Sequence, residues 1–68
     1  MSKHNIDPTK KPIEYKSEMM IARQRYAYGE VEYSAVVEKA EQYIESVNQW
    51  CKRNGKKAPR LSVTGLLR

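Results

Sequence analysis

A chain of 68 residues with one histidine, His4, and one cysteine, Cys51, offers few groups that could do chemistry. Acid–base or nucleophilic work by either would need a positioned partner in a pocket poor in water. His4 stands in the polar stretch MSKHNIDPTKK, where nothing apolar recurs at a regular spacing, and it reads as an exposed side chain. Cys51 falls at an apolar position of a helical pattern, directly after Trp50, and reads as a small packing residue. A single cysteine also rules out an intrachain disulfide and a cysteine-cluster metal site. Glu38, Glu41 and Glu45 recur at spacings of three and four, which lines their carboxylates along one side of a helix. Hard cations draw oxygen ligands from facing elements, and with no facing set visible the three read as a solvated face. There is no glycine-rich phosphate cradle and no P-loop lysine pattern. The inventory implies no cofactor, no metal and no small-molecule substrate, so the chain reads as a protein that is not an enzyme.

One group of residues does rise above this background. Lys52, Arg53, Lys56, Lys57 and Arg60 fall within nine residues, and no acidic residue follows Glu45. The net charge of +5 is uneven: residues 1–34 carry six basic and five acidic side chains, and residues 35–68 carry seven and three. Such a corner suits phosphate groups or an acidic protein surface and speeds encounter with either. Reading a DNA sequence would need more, namely a helix whose exposed face carries side chains for base edges. The helix that precedes this corner exposes Glu38, Glu41 and Glu45 instead, which phosphates repel.

The elements that must position these residues follow from periodicity. From Ala35 to Asn54, at about 100° per residue, Val37, Ala40, Ile44, Val47 and Cys51 share one stripe, with Val36, Tyr43 and Trp50 beside it. The arc they cover is roughly 140°, and the polar remainder includes Ser46. Tyr43 and Trp50 lie inside the arc and read as core. Asn54-Gly55 ends the helix, since both residues tolerate the left-handed conformation of a C-cap, and Lys52 and Arg53 suit the negative end of the helix dipole. An earlier helix is expected over about residues 12–28, with Pro12 in its first turn and Gly29 ending it. Its stripe Tyr15, Met19, Ala22, Tyr26 can face the second helix, yet Ile13, Met20 and Ala27 line another side and Ile21 with Tyr28 a third. Apolar residues on several sides mean several neighbours or another chain. Met20, Ile21, Ala27 and Tyr28 are therefore either a partner or dimer surface, or the ground on which the C-terminal segment packs. In that segment Pro59 favours an extended approach; Ser62 can cap a short helix through Val63, Leu66 and Leu67, or Leu61 and Val63 can alternate as a brief strand. Residues 1–11 read as a disordered, basic arm.

The junction Arg23-Gln24-Arg25-Tyr26-Ala27-Tyr28-Gly29-Glu30-Val31-Glu32-Tyr33 resembles the pattern of the short bacterial helical-hairpin modules called SHOCT domains, over about residues 23–37. There a helix ends at a glycine, an acidic-aliphatic pair follows, and a second helix starts; Tyr33-Ser34-Ala35 stand here where those modules usually carry acidic residues. The resemblance implies that Gly29 caps, that Val31 plugs the base of the hairpin, and that the chain is an interaction or assembly module.

Together these readings predict an all-α protein: a disordered arm over 1–11, then a single small domain over 12–68 made of an antiparallel two-helix hairpin (about 12–28 and 32–54) and a short C-terminal helix. A chain of this size is near the lower limit for a self-sufficient core, which keeps a second copy or a partner in view. No apolar run approaches the roughly 20 residues of a membrane span, and the polar N-terminus has no signal-peptide core, so a cytoplasmic protein with no membrane partner is expected. The expected function is that of a small interaction protein, a regulator or inhibitor of a larger assembly, of the kind phages and mobile elements carry. It would dock through Met20, Ile21, Ala27 and Tyr28 and orient through Lys52, Arg53, Lys56, Lys57 and Arg60. The alternative is a nucleic-acid-binding protein whose Lys52–Arg60 corner clamps a phosphate backbone.

Overall fold

The computed structural model describes residues 6, 7 and 9–68. They form three helices, α1 (Pro12–Ala27), α2 (Tyr33–Arg53) and α3 (Val63–Leu66), and no strand occurs among the described residues. The helices α1 and α2 pack on each other as an antiparallel hairpin, and α3 packs against α2. The all-α hairpin with a short final helix, expected from periodicity, is the observed fold, and the helix ends fall within about a residue of those expected.

Each end has a local cause. Pro12 opens α1 with its φ already helical, and the backbone N–H of Lys11 donates to Glu14 Oε2 at 2.6 Å, so a first-turn carboxylate closes the start. Gly29 (φ 75°) closes the other end: its N–H donates to the Tyr26 carbonyl at 2.9 Å while the Glu30 N–H reaches back to the Arg25 carbonyl at 2.8 Å. Gly55 (φ 65°) repeats this after α2, with the Lys56 N–H on the Cys51 carbonyl at 2.8 Å. Both are Schellman closures, which need a residue free to take positive φ. Ser62 caps α3, its hydroxyl accepting from the Gly65 N–H at 3.1 Å, so the C-terminal segment takes the helical alternative and not the strand.

The core is the seam of the hairpin. Tyr15, Met19 and Ala22 of α1 meet Val36, Ala40, Val47 and Cys51 of α2, all buried. Tyr43 and Trp50, read from the wheel as core, are only half-buried, and Tyr26 and Ser46 depart further from expectation. Tyr26 remains 46 % exposed because it lies opposite the first turn of α2, where its ring meets Tyr33 edge-on at 5.3 Å instead of entering the core. Ser46, on the polar side of the wheel, is buried.

The expected arm over 1–11 falls partly on residues 1–5 and 8, which lie outside the described residues, as does His4. The described part is fastened. The Thr9 N–H and hydroxyl both donate to Asp7 Oδ1, at 2.8 and 2.6 Å, forming an Asx turn, and the Asp7 N–H donates to the Tyr15 hydroxyl at 2.9 Å. The Lys10 ammonium lies 4.4 Å over the Tyr15 ring and donates to Glu18.

Candidate functional site

Two surfaces carry the residues to which the sequence points, the outward side of α1 and the basic corner, and a third adjoins the corner through Trp50. The first is the outward side of α1. Tyr15, Met19 and Ala22 turn inward, so residues half a turn away must turn outward: Met20 is 56 % exposed, Ile21 52 %, Tyr28 71 %, and Ala27 is exposed with them. On the helical wheel the four span an arc of about 120°, with Gln24 in its middle. The C-terminal segment does not cover this arc. It packs on α2, and Leu67 reaches only the hairpin's turn end, where it lines a hollow with Arg23, Tyr26, Ala27, Tyr33 and Val36. The Arg23 guanidinium adds a hydrogen bond of 3.3 Å to the Arg68 carbonyl. Of the two uses left open for Met20, Ile21, Ala27 and Tyr28, packing by α3 thus applies only to the edge of Ala27.

The second surface is the basic corner. Lys52 and Arg53 end α2, Lys56 and Lys57 follow the Gly55 closure, and Arg60 lies one residue past Pro59; all five are exposed. Lys56 folds back so that its ammonium stands 5.1 Å from the centre of the Trp50 ring, a cation–π contact. Lys52 and Arg53 also meet the carbonyl end of α2, where positive charge is favoured.

The third surface was not visible in the sequence. Where the hairpin opens, the first turn of α1 and the connector after α2 leave a groove of about 410 Å³. Val47, Trp50 and Cys51 line it from α2, Pro12 and Ile13 from α1, Pro59 from the connector, and Lys11 stands at its lip. Ile13 is 61 % exposed, and Trp50, read from the wheel as core, is only half-buried. The groove escapes periodicity because it joins the start of α1 to the end of α2 and its connector, segments more than 30 residues apart in the chain.

A smaller groove of about 240 Å³ lies on one flank of the hairpin, lined by Ile21, Ala22, Val31 and Ala35 with the charged Glu18, Arg25 and Lys39. Val31, in the connection between α1 and α2, is half-buried. Glu18 ties this flank together, accepting from Lys10 and, at 3.1 Å, from Lys39. The hydrogen bond from Lys10, then that from Lys39, holds the Glu18 carboxyl below its ordinary value, and the same bond raises Lys10 above its own. Asp7 is lowered by the Thr9 hydroxyl first and the Thr9 N–H second.

Among the described residues no group of three or more His, Cys, Asp or Glu side chains converges to hold a metal ion, and no helix is long and apolar enough to cross a membrane. No family model, curated protein or solved structure matches the chain.

Proposed function

We propose that this chain is a small non-enzymatic interaction protein, a regulator or inhibitor that docks on a larger protein assembly through the outward side of α1. The observation that carries this reading is the exposure of Met20, Ile21 and Tyr28 on a helix whose other side already fills the hairpin core, while α3 packs elsewhere. Large apolar side chains gathered on one side of so small a protein mark a contact surface. Methionine adapts its shape to a partner and tyrosine adds a polar tip, which suits both to an interface. The basic corner orients the approach toward an acidic partner. The resemblance of the Arg23–Tyr33 junction to assembly modules points the same way.

The test is a Met20→Lys/Tyr28→Lys double variant, compared with the parent by native mass and by capture from cell extract. Both side chains are exposed, so the hairpin is expected to keep its helical circular dichroism while any self-association or captured partner is lost. A parent that is monomeric and captures nothing the variant loses overturns the reading.

A second reading rests on the same exposed corner. Lys52, Lys56, Lys57 and Arg60 would clamp a phosphate backbone, and binding would then fall steeply with salt. Protein purified without nuclease treatment separates the two readings in that same native-mass measurement, because co-purifying nucleic acid is seen directly.

A further inference from the structure

We propose that the groove at the open end of the hairpin docks an acidic, amphipathic peptide segment of a partner protein, a second contact that shares the basic corner with the reading above but uses none of Met20, Ile21, Ala27 and Tyr28. The groove offers carbon: Pro12, Ile13, Val47, Trp50 and Pro59 line it. It is shallow and open, with a volume of about 410 Å³, room for a pair of leucine- or phenylalanine-sized side chains laid along it.

Charge selects the occupant. Lys11 stands at the lip, Lys56 on the Trp50 ring, and Lys57 and Arg60 flank Pro59 on the connector. No carboxylate side chain occurs from Ser46 to Arg68, and the nearby Glu14 is engaged by the Lys11 N–H. An apolar trough beside a majority of ammonium and guanidinium groups complements a segment in which leucine or phenylalanine alternates with aspartate or glutamate. A phosphate backbone would use the cations and leave the trough unfilled. The chain's own first five residues, MSKHN, carry no carboxylate to serve as occupant.

The groove reports on itself, since Trp50 is the chain's sole tryptophan, is half-buried and lines it. The probe is a short synthetic peptide alternating Glu or Asp with Leu and Phe. It is compared with the same peptide carrying Lys in place of every carboxylate, and with single-stranded oligothymidine. With the full-length protein, the acidic peptide is expected to shift Trp50 emission saturably to shorter wavelength; the lysine peptide is not. Ile13→Asp places a carboxylate in the trough at an exposed position in the first turn of α1, where acids are favoured, so folding is retained. It is expected to weaken the peptide by about tenfold or more, as is Lys11→Glu/Lys57→Glu. Met20→Lys/Tyr28→Lys is expected to leave this binding unchanged, which separates failure here from failure of the α1 surface. The proposal is overturned by absence of a saturable shift with the acidic peptide, by equal binding of the lysine peptide, by indifference to Ile13→Asp, or by a saturable Trp50 shift with oligothymidine alone.

Discussion

The two long helices of the hairpin share an interface yet distribute their apolar residues differently. In α2 they occupy one arc, and after Tyr33 no large apolar side chain stands among the strongly exposed ones. In α1 they occupy every side, and Ile13, Met20, Ile21 and Tyr26, with Tyr28 just beyond, remain in water. A hairpin gives each helix one long neighbour, which can bury one face only, so a second apolar face must find its cover outside the pair. The helix α2 is thus chiefly scaffold, with Trp50 half-buried at its open end, while α1 carries a second apolar side beyond the one that fills the core. Exposed apolar area brings the isolated fold no stability at the roughly 25 cal/mol per Å² gained by burial, so its concentration on one helix supports a contact role.

The largest effect that sharpens this contrast lies between adjacent residues of α1. Met19 is 3 % exposed and Met20 56 %. Met19→Ala is expected to cost about 2–5 kcal/mol, enough to unfold most of a domain this small, whereas Met20→Ala should change stability by less than about 0.5 kcal/mol. Urea unfolding followed by circular dichroism measures both. Similar losses from the two substitutions would mean that the outer side of α1 is covered, and the distinction between the helices would collapse.

That boundary was largely legible in the sequence, because the positions that turn inward and outward on a helix follow from spacing alone. Tyr15, Met19 and Ala22 share a stripe and are buried; Met20, Ile21 and Tyr28 lie off it and are exposed. Helix ends were legible too, since Pro12, Gly29, Gly55 and Ser62 act through their own backbone or side chain. Tyr26 was not, because the stripe gives a direction but not the place where the neighbouring helix begins. The open-end groove and the fastening of Asp7 to Tyr15 were hidden for a related reason. Both join segments whose meeting depends on how the chain returns, and no local pattern records that.

Ser46 is the one place where α2 departs from a clean division between apolar and polar faces. It is 2 % exposed, and its hydroxyl has no hydrogen-bond partner among the described residues. An unsatisfied buried hydroxyl is destabilising, and alanine is also the better helix former, so Ser46→Ala is expected to raise the unfolding free energy by about 1 kcal/mol. Thermal and urea midpoints would both rise. A fall instead would show that the hydroxyl is bonded, and that α2 is less purely a scaffold than its apolar arc makes it.

The smallest effect concerns Glu18, on the flank where α1 meets both α2 and the N-terminal turn through Lys39 and Lys10. Because folding lowers the Glu18 carboxyl below its ordinary value of 4.5, its contribution is complete above that value and is lost as pH falls through the folded one. Asp7, lowered from 3.8 by Thr9, adds in the same direction somewhat further into acid. Lys10 is raised above 10.5, so its share is complete below that value and is lost only as pH climbs through the higher folded one. Between these limits the pairs make stability nearly independent of pH. Partly exposed pairs contribute little, so Glu18→Gln should cost less than about 1 kcal/mol near neutral pH, and less again in high salt. The sharper reading is the slope: urea midpoints of the parent should fall between about pH 5 and pH 3, and those of Glu18→Gln should fall less. Equal slopes would assign the acid sensitivity to Asp7 and leave the attachment of the N-terminal turn to Asp7 and Tyr15, making the flank of α1 as indifferent to charge as its outer side.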